Sequence, residues 1–156
     1  MTDESFMRRA IEKAGCGIND GQAPFGACIV KGEKVIACEH NTVCKDTDIT
    51  AHAEINAIRA ACRKLDTIDL SGCIIYSTCE PCPMCFSACH WGKISKIVYG
   101  ARIDDAKKLG FCELAISDET MRQSGNSKVE IVRDFLREEN LGLFGMWSKQ
   151  KDKRVY

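Results

Sequence analysis

Apolar residues recur three and four apart near the N-terminus. Phe6, Met7, Ala10, Ile11, Ala14 and Ile18 share one face, which predicts an amphipathic helix over residues 4 to 19. The stretch GACIVKGEKVIACEH changes to short apolar runs around Lys31-Gly32-Glu33-Lys34, predicting two strands joined by a turn. From Thr50 the helical period returns, with Ile55, Ile58, Cys62 and Leu65 as its expected buried face and Thr50 as its expected N-cap. CIIYSTC, residues 73 to 79, is a β-branched run of a buried strand. A helix is expected after it, with Pro81 at the first position, where a missing N–H costs nothing. ISKIVYGA predicts another strand, DDAKKLG a short helix ended by Gly110, and VEIVRDF a last strand. A final helix is expected from Glu138 to Lys151. Strands alternating with helices predict a single α/β domain over residues 1 to 156, its sheet covered by helices on both faces.

Composition narrows the classes. A chain of 156 residues, 45% hydrophobic and without low-complexity stretches, can bury one sizeable core. It has no run of 18 apolar residues to span a membrane, and its N-terminus lacks a signal peptide's apolar centre, so a cytoplasmic protein is expected. Lys plus Arg and Asp plus Glu each total 22, a balance that argues against a nucleic-acid partner. The basic tail SKQKDKRVY reads as a solvated helix end. Eleven cysteines, an odd number without a secretion signal, argue against a disulfide framework. Cys28, Cys38, Cys62 and Cys73 lie in apolar runs and read as small buried hydrophobes.

Cys82 and Cys85 differ, because CEPCPMC places them three apart at a helix start, where the dipole favours thiolates. On that motif alone, dithiol redox chemistry and metal binding are equally supported. His52 in TAHAEINAIRA shifts the balance, since it opens the other helix that follows a turn, two residues before Glu54. One imidazole and two thiolates make a three-ligand zinc site open at the fourth position. Cys79 or Cys89 as a fourth ligand would make it a closed structural site instead. An acid such as Glu54 is also favoured in a first helical turn by the dipole alone. His40 and His90 read as surface or core histidines.

H-A-E at 52 to 54 together with P-C-P-M-C at 81 to 85 resembles the signature of zinc-dependent nucleobase deaminases. Beyond these motifs, APFGACIVK, EHN, STCEPCPMC, HWGKISKIVYGA, LGF and the LFGMW tail resemble the bacterial guanine deaminases of the cytidine deaminase superfamily. That resemblance implies a three-layer α/β/α fold on a mixed five-stranded sheet, a homodimer, and hydrolysis of guanine to xanthine and ammonia. It also implies zinc on His52, Cys82 and Cys85, with Glu54 as proton shuttle. Asn41 and the Ala53 backbone N–H would bind the base, Phe25 and Trp91 would line its pocket, and Tyr156 would close the pocket of the partner subunit. The tail, about residues 138 to 156, would then be swapped between subunits. One departure stands out: where these enzymes carry an aspartate after Gly-Phe, this chain has Glu113 behind Cys112. Rival readings are a tRNA adenosine deaminase, a cytosine deaminase, a thiol-disulfide oxidoreductase and a non-catalytic zinc-binding module.

Overall fold

The computed structural model describes residues 2–156. The chain runs α1 (Asp3–Asn19), β1 (Gly26–Lys31), β2 (Lys34–His40), α2 (Val43–Asp46), α3 (Ala53–Leu65), β3 (Cys73–Cys79), α4 (Pro83–Trp91), β4 (Lys96–Ala101), α5 (Ile103–Lys108), α6 (Asp118–Ser124), β5 (Glu130–Val132) and α7 (Arg137–Ser148). The five strands form one mixed sheet in the order β2-β1-β3-β4-β5. β1 pairs antiparallel with both β2 and β3, whereas β3, β4 and β5 are parallel. Gly32, at a φ of 59°, makes the tight turn between β1 and β2, a conformation a Cβ disfavours.

Strand alternation sends successive side chains to opposite layers. Ala27, Ile29, Ile75, Ile97 and Tyr99 pack on one face with Ala57 and Ala61 of α3 and Phe86 and Cys89 of α4. Cys28, Val30, Tyr76 and Val98 face the other way, onto Phe6, Met7 and Ala10 of α1. Beyond the strand ends, Ala14 and Ile18 meet Ala106, Phe111, Leu143, Phe144 and Trp147, which ties α1, α5 and α7 together. The result is the three-layer α/β/α arrangement expected from the sequence.

Two details of the expected helices are corrected. The fully buried face of α3 is Ala53, Glu54, Ala57 and Ala61, while Ile55, Ile58, Cys62 and Leu65 are only half-buried. Small residues let α3 lie close to the sheet, so Ile58, Cys62 and Leu65 pack at the margin of that layer rather than its centre. The N-cap is His52, not Thr50, whose N–H and hydroxyl both donate to the Asp48 carboxylate and close a turn two residues earlier. Likewise Pro83, not Pro81, occupies the first position of α4 behind the N-cap Cys82. The short α2 and α6 are absent from the sequence reading, because a helix of four or seven residues shows no periodicity.

The tail is placed by one close approach. After β5 the chain turns through Asp134 and Leu136, both at positive φ. The buried Asn140 donates from Nδ2 to the carbonyls of Phe135 and Leu136, at 3.1 and 2.9 Å. Its side chain fills the space over Gly100 in β4, where an added Cβ would lie 2.1 Å from Nδ2. Gly100→Ala should therefore force α7 outward and destabilise the fold by about 1–3 kcal/mol, as overpacked cores do. Denaturant unfolding checks this, with an unchanged midpoint as the contrary result.

Candidate active site

Two helices begin side by side at one end of the sheet, and each contributes its N-cap to a common centre. His52 caps α3 and Cys82 caps α4, with Cys85 one turn further on. His52 Nδ1 lies 3.7 Å from Cys82 Sγ and 3.6 Å from Cys85 Sγ. A tetrahedral zinc with ordinary Zn–N and Zn–S lengths separates such donor atoms by about 3.6 Å. Among the described residues, His52, Cys82 and Cys85 form the cluster able to hold a metal ion, their donor atoms all within 4.8 Å of one another. The residues therefore fit zinc without rearrangement.

The electrostatics favour a thiolate on Cys82 in particular. The Cys82 thiol is pulled down to about 4, chiefly by the hydrogen bond from Cys85 and also by His52. Burial opposes charge on His52, but Cys82, Glu54 and Glu113 outweigh it and raise its pKa. Metal binding selects thiolate and neutral imidazole, so zinc would meet Cys82 already as thiolate but would displace a proton from His52 and from Cys85, whose thiol is held well above its ordinary value by its hydrogen bond to Cys82 and by burial. The fourth-ligand alternatives do not assemble: Cys79 Sγ instead donates to the Arg102 carbonyl at 3.6 Å, and Cys89 is packed in the core against Phe86. All eleven cysteines are free thiols, so Cys82 and Cys85 do not form the disulfide of an oxidoreductase here.

Glu54, in the first turn of α3, is buried beside this centre. Its Oε1 accepts the Ser77 hydroxyl at 3.1 Å, and its Oε2 accepts the Cys85 thiol at 3.6 Å. Burial raises its pKa, opposed by His52 and supported by the negative Cys82. A carboxyl so disposed holds its proton more readily than an ordinary glutamate and can pass it to a neighbouring group. Its burial against Ser77 of β3 is a placement that helix-dipole stabilisation alone does not require.

A small pocket, with a cavity of about 20 Å³, opens over these groups, lined also by Phe25, Asn41, Cys79, Glu80, Glu113 and Tyr156. Asn41 is fixed by accepting the Val43 N–H at 3.1 Å, and its Nδ2 donates to the Tyr156 hydroxyl at 2.5 Å. Phe25 forms a wall, its ring 5.1 Å from that of Phe111. Ala53 is the first residue of α3, so its backbone N–H is one of those the helix leaves unpaired. Burial first, then the charges of Cys82 and Glu54, pushes the half-buried Glu113 up to about 7.

Two aromatics that the resemblance assigns to the pocket are placed as follows within the single chain. Tyr156 closes the pocket of its own chain: its carbonyl accepts the Cys112 N–H at 2.8 Å and its ring lies 5.9 Å from His52. The path is set by α7, whose Leu143, Phe144 and Trp147 dock on their own core. Trp91 is not in this pocket. It is 81% exposed at the far end of α4, six residues or about 9 Å along the axis from Cys85, and beside His90. Sequence reasoning also passed over Ser77, Glu80 and Asn56. Asn56 holds the site loops together, donating to the His40 carbonyl at 3.0 Å and Thr42 Oγ1 at 2.9 Å. Glu80 lies within CEPCPMC, but its spacing from the cysteines carries no ligand signal.

One histidine and two thiolates, with a buried carboxyl beside them under a closed pocket, define a hydrolytic zinc enzyme. Residues 1–101 match the cytidine and deoxycytidylate deaminase zinc-binding region, and the chain belongs to that family. It is 38% identical to the guanine deaminase of Bacillus subtilis (strain 168), with 100% of both chains covered. It is 34% identical to that organism's tRNA-specific adenosine deaminase, covering 97% of this chain and 92% of the relative. Among solved structures, a guanine deaminase from Nitrosomonas europaea superposes with a TM-score of 0.86 at 30% identity, covering 96% of this chain and 86% of that one.

The centre should bind one zinc per chain. Metal analysis of Cys82→Ala combined with Cys85→Ala should find the zinc gone while wild-type protein retains it. Full stoichiometry in the double variant would place the metal elsewhere.

Proposed function

We propose that this protein is a guanine deaminase, hydrolysing guanine to xanthine and ammonia. The carrying observation is the second carboxylate, Glu113, facing the pocket that also holds Glu54, His52 and Asn41. The full-length similarity to a guanine deaminase supports the same substrate. Zinc on His52, Cys82 and Cys85 would supply Lewis acidity and a water that is nucleophilic at neutral pH. The remaining work falls to the chain. Glu54 accepts the proton of the attacking water as C2–O forms and passes it to ring N3, then carries the proton of the new C2 hydroxyl to the amine as C2–N breaks and ammonia leaves. Glu113 accepts N–H groups of the purine edge, Asn41 and the Ala53 N–H donate to its acceptors, and Phe25 packs against the ring.

The tRNA adenosine deaminases are the second reading, favoured by their sequence similarity over most of the chain. Two observations count against it: the net charge is zero, and Tyr156 covers the pocket that a polynucleotide would have to enter. The same proposal includes a homodimer in the cytoplasm. Ile49 and Leu114, 62% and 64% exposed on the rim of a cleft beside the site, are apolar surface suited to a second subunit. Free thiols throughout are consistent with a reducing compartment. No helix among the described residues is long and apolar enough to cross a membrane. A tail exchanged between subunits would need α7 to leave the core it occupies here.

Glu54→Gln should keep fold and zinc but lower kcat by about 10²–10⁴-fold, the usual scale of general acid–base catalysis. Steady-state rates of xanthine formation check this, and near-native turnover would reduce Glu54 to a helix-start charge. Glu113→Ala should leave a guanine N–H unpaired and cost about 1–3 kcal/mol of kcat/KM while sparing zinc. Ammonia release over guanine, adenine, cytosine, guanosine, aminated triazines and a tRNA stem-loop tests the substrate. Unchanged guanine turnover in Glu113→Ala, or a better substrate in the panel, would overturn the guanine assignment but not the deaminase class.

A further inference from the structure

The wall of the pocket that carries Phe111 and Glu113 belongs to a segment with little structure of its own. Between Gly110 and Ser117 it forms neither helix nor strand, and Cys112 and residues 114 to 117 are exposed. Its internal backbone bonds are Glu113 N–H to Phe111 O at 2.9 Å and Ile116 N–H to Leu114 O at 2.8 Å. Outside contacts add the Cys112 N–H to Tyr156 O bond at 2.8 Å and the packing of buried Phe111, so beyond Glu113 the segment depends on how its ends are fixed.

One buried side chain holds the segment's far end directly and its near end through α5, the helix that leads into it. Glu80 follows β3 directly, and its own N–H donates to the Ala101 carbonyl at 2.8 Å, so its backbone is part of the sheet end. Its Oε2 accepts the N–H of Ile103 at 3.1 Å, and its Oε1 accepts the N–H of Asp118 at 2.9 Å. Those are the first residues of α5 and α6. One carboxylate therefore closes the 103–118 segment at both ends, two residues before the zinc ligand Cys82. Hydrogen bonds to a carboxylate are stronger than neutral ones, and these are sheltered from water. With both oxygens engaged by the backbone, Glu80 is not free to serve as the base acceptor. Asp118 marks how firmly that end is held: it is 0% exposed, and neither of its carboxyl oxygens has a hydrogen-bond partner.

We propose that Glu80 is a positioning residue, which sets where Glu113 meets the base by clamping both ends of the segment that carries it. The inference rests on the reading of Glu113 as the base acceptor, and it assigns substrate affinity to a pocket-lining residue whose carboxylate is bonded to backbone N–H groups. A mere capping role would affect stability but would act independently of Glu113.

Two variants open the clamp differently. Glu80→Gln leaves one acceptor and turns an amide N–H₂ toward a backbone donor. Asp118→Pro removes the N–H at one end; proline suits the first position of a helix, and Ser117 before it is already extended at φ −69° and ψ 155°. Asp118→Asn is the control that keeps the N–H. In zinc-loaded protein without substrate, amide exchange of residues 109 to 117 should quicken about tenfold or more in Glu80→Gln and Asp118→Pro, with β3 and α4 still protected. Asp118→Asn should leave that exchange near native. On whichever base the wild type deaminates best, Glu80→Gln should raise KM about tenfold with little change in kcat. In a Glu113→Ala background the same substitution should add less than about twofold, the coupling expected if it acts through that side chain.

Native exchange across 109 to 117 in both variants would overturn the proposal. So would an effect of Glu80→Gln that multiplies fully with that of Glu113→Ala. If Glu80→Gln does not fold, Asp118→Pro supplies both readings. Exchange needs no substrate, so a base other than guanine in the panel defeats the guanine assignment without touching this result.

Discussion

The site depends on two helices starting within side-chain reach of each other. α3 and α4 both pack on the same face of the sheet, and their first turns converge beside the end of β3. Each N-cap position has extended backbone, with ψ of 156° at His52 and 166° at Cys82. That conformation swings the side chain off the helix axis and toward the neighbouring helix. The same positions carry the positive ends of two helix dipoles, which favour thiolate on Cys82. Ligand geometry and ligand charge thus have one cause. The alanine face of α3 serves this arrangement, because larger residues at 53, 57 and 61 would lift the helix and carry His52 away from the thiolates.

Much of this was legible in the sequence where a regular period or a fixed spacing recorded it. The period from Phe6 to Ile18 locates α1 to within a residue, and CIIYSTC is β3 from end to end. His52, Glu54, Cys82 and Cys85 were legible because ligand chemistry restricts residue type and helical spacing restricts position. What was missed has no such record. Thr50 looks like an N-cap because its hydroxyl is suited to one, but Asp48 engages it first in a local turn. The resemblance implies Trp91 as a pocket wall, whereas within this chain it lies exposed at the far end of α4. Glu80 holds backbone groups 23 and 38 residues away, a pairing that no local pattern encodes.

The tail shows how a distant contact decides a local one. The close approach of Asn140 to Gly100 fixes where α7 begins, and Leu143, Phe144 and Trp147 fix which way it runs. Eight residues past the end of α7, the chain delivers Tyr156 to Asn41 and Cys112. The pocket is therefore assembled from residues as far apart as 25 and 156, and only the metal ligands and Glu54 lie in short motifs. Expulsion of water by that aromatic lid strengthens the electrostatics beneath it.

Those electrostatics are the last constraint, for the site concentrates acid. Glu54, Glu80, Glu113 and Asp118 are all wholly or partly buried within a short distance of the Cys82 thiolate. Burial, with repulsion among them, raises Glu54, brings Glu113 to about 7 and Asp118 to about 9. Without a counter-charge, such a cluster would be a liability of several kcal/mol. Nearby cationic side chains do not supply it, since Arg102 and Arg137 are spent on Asp134 and Asp105 at the surface. A divalent cation on His52, Cys82 and Cys85 lies where it can balance the thiolates and lower the neighbouring carboxyls together. The acidic pocket and the metal centre are in this sense one design. Zinc makes the carboxylates tolerable, and the carboxylates, held by Ser77 and by the 103–118 segment, direct the chemistry that zinc makes accessible.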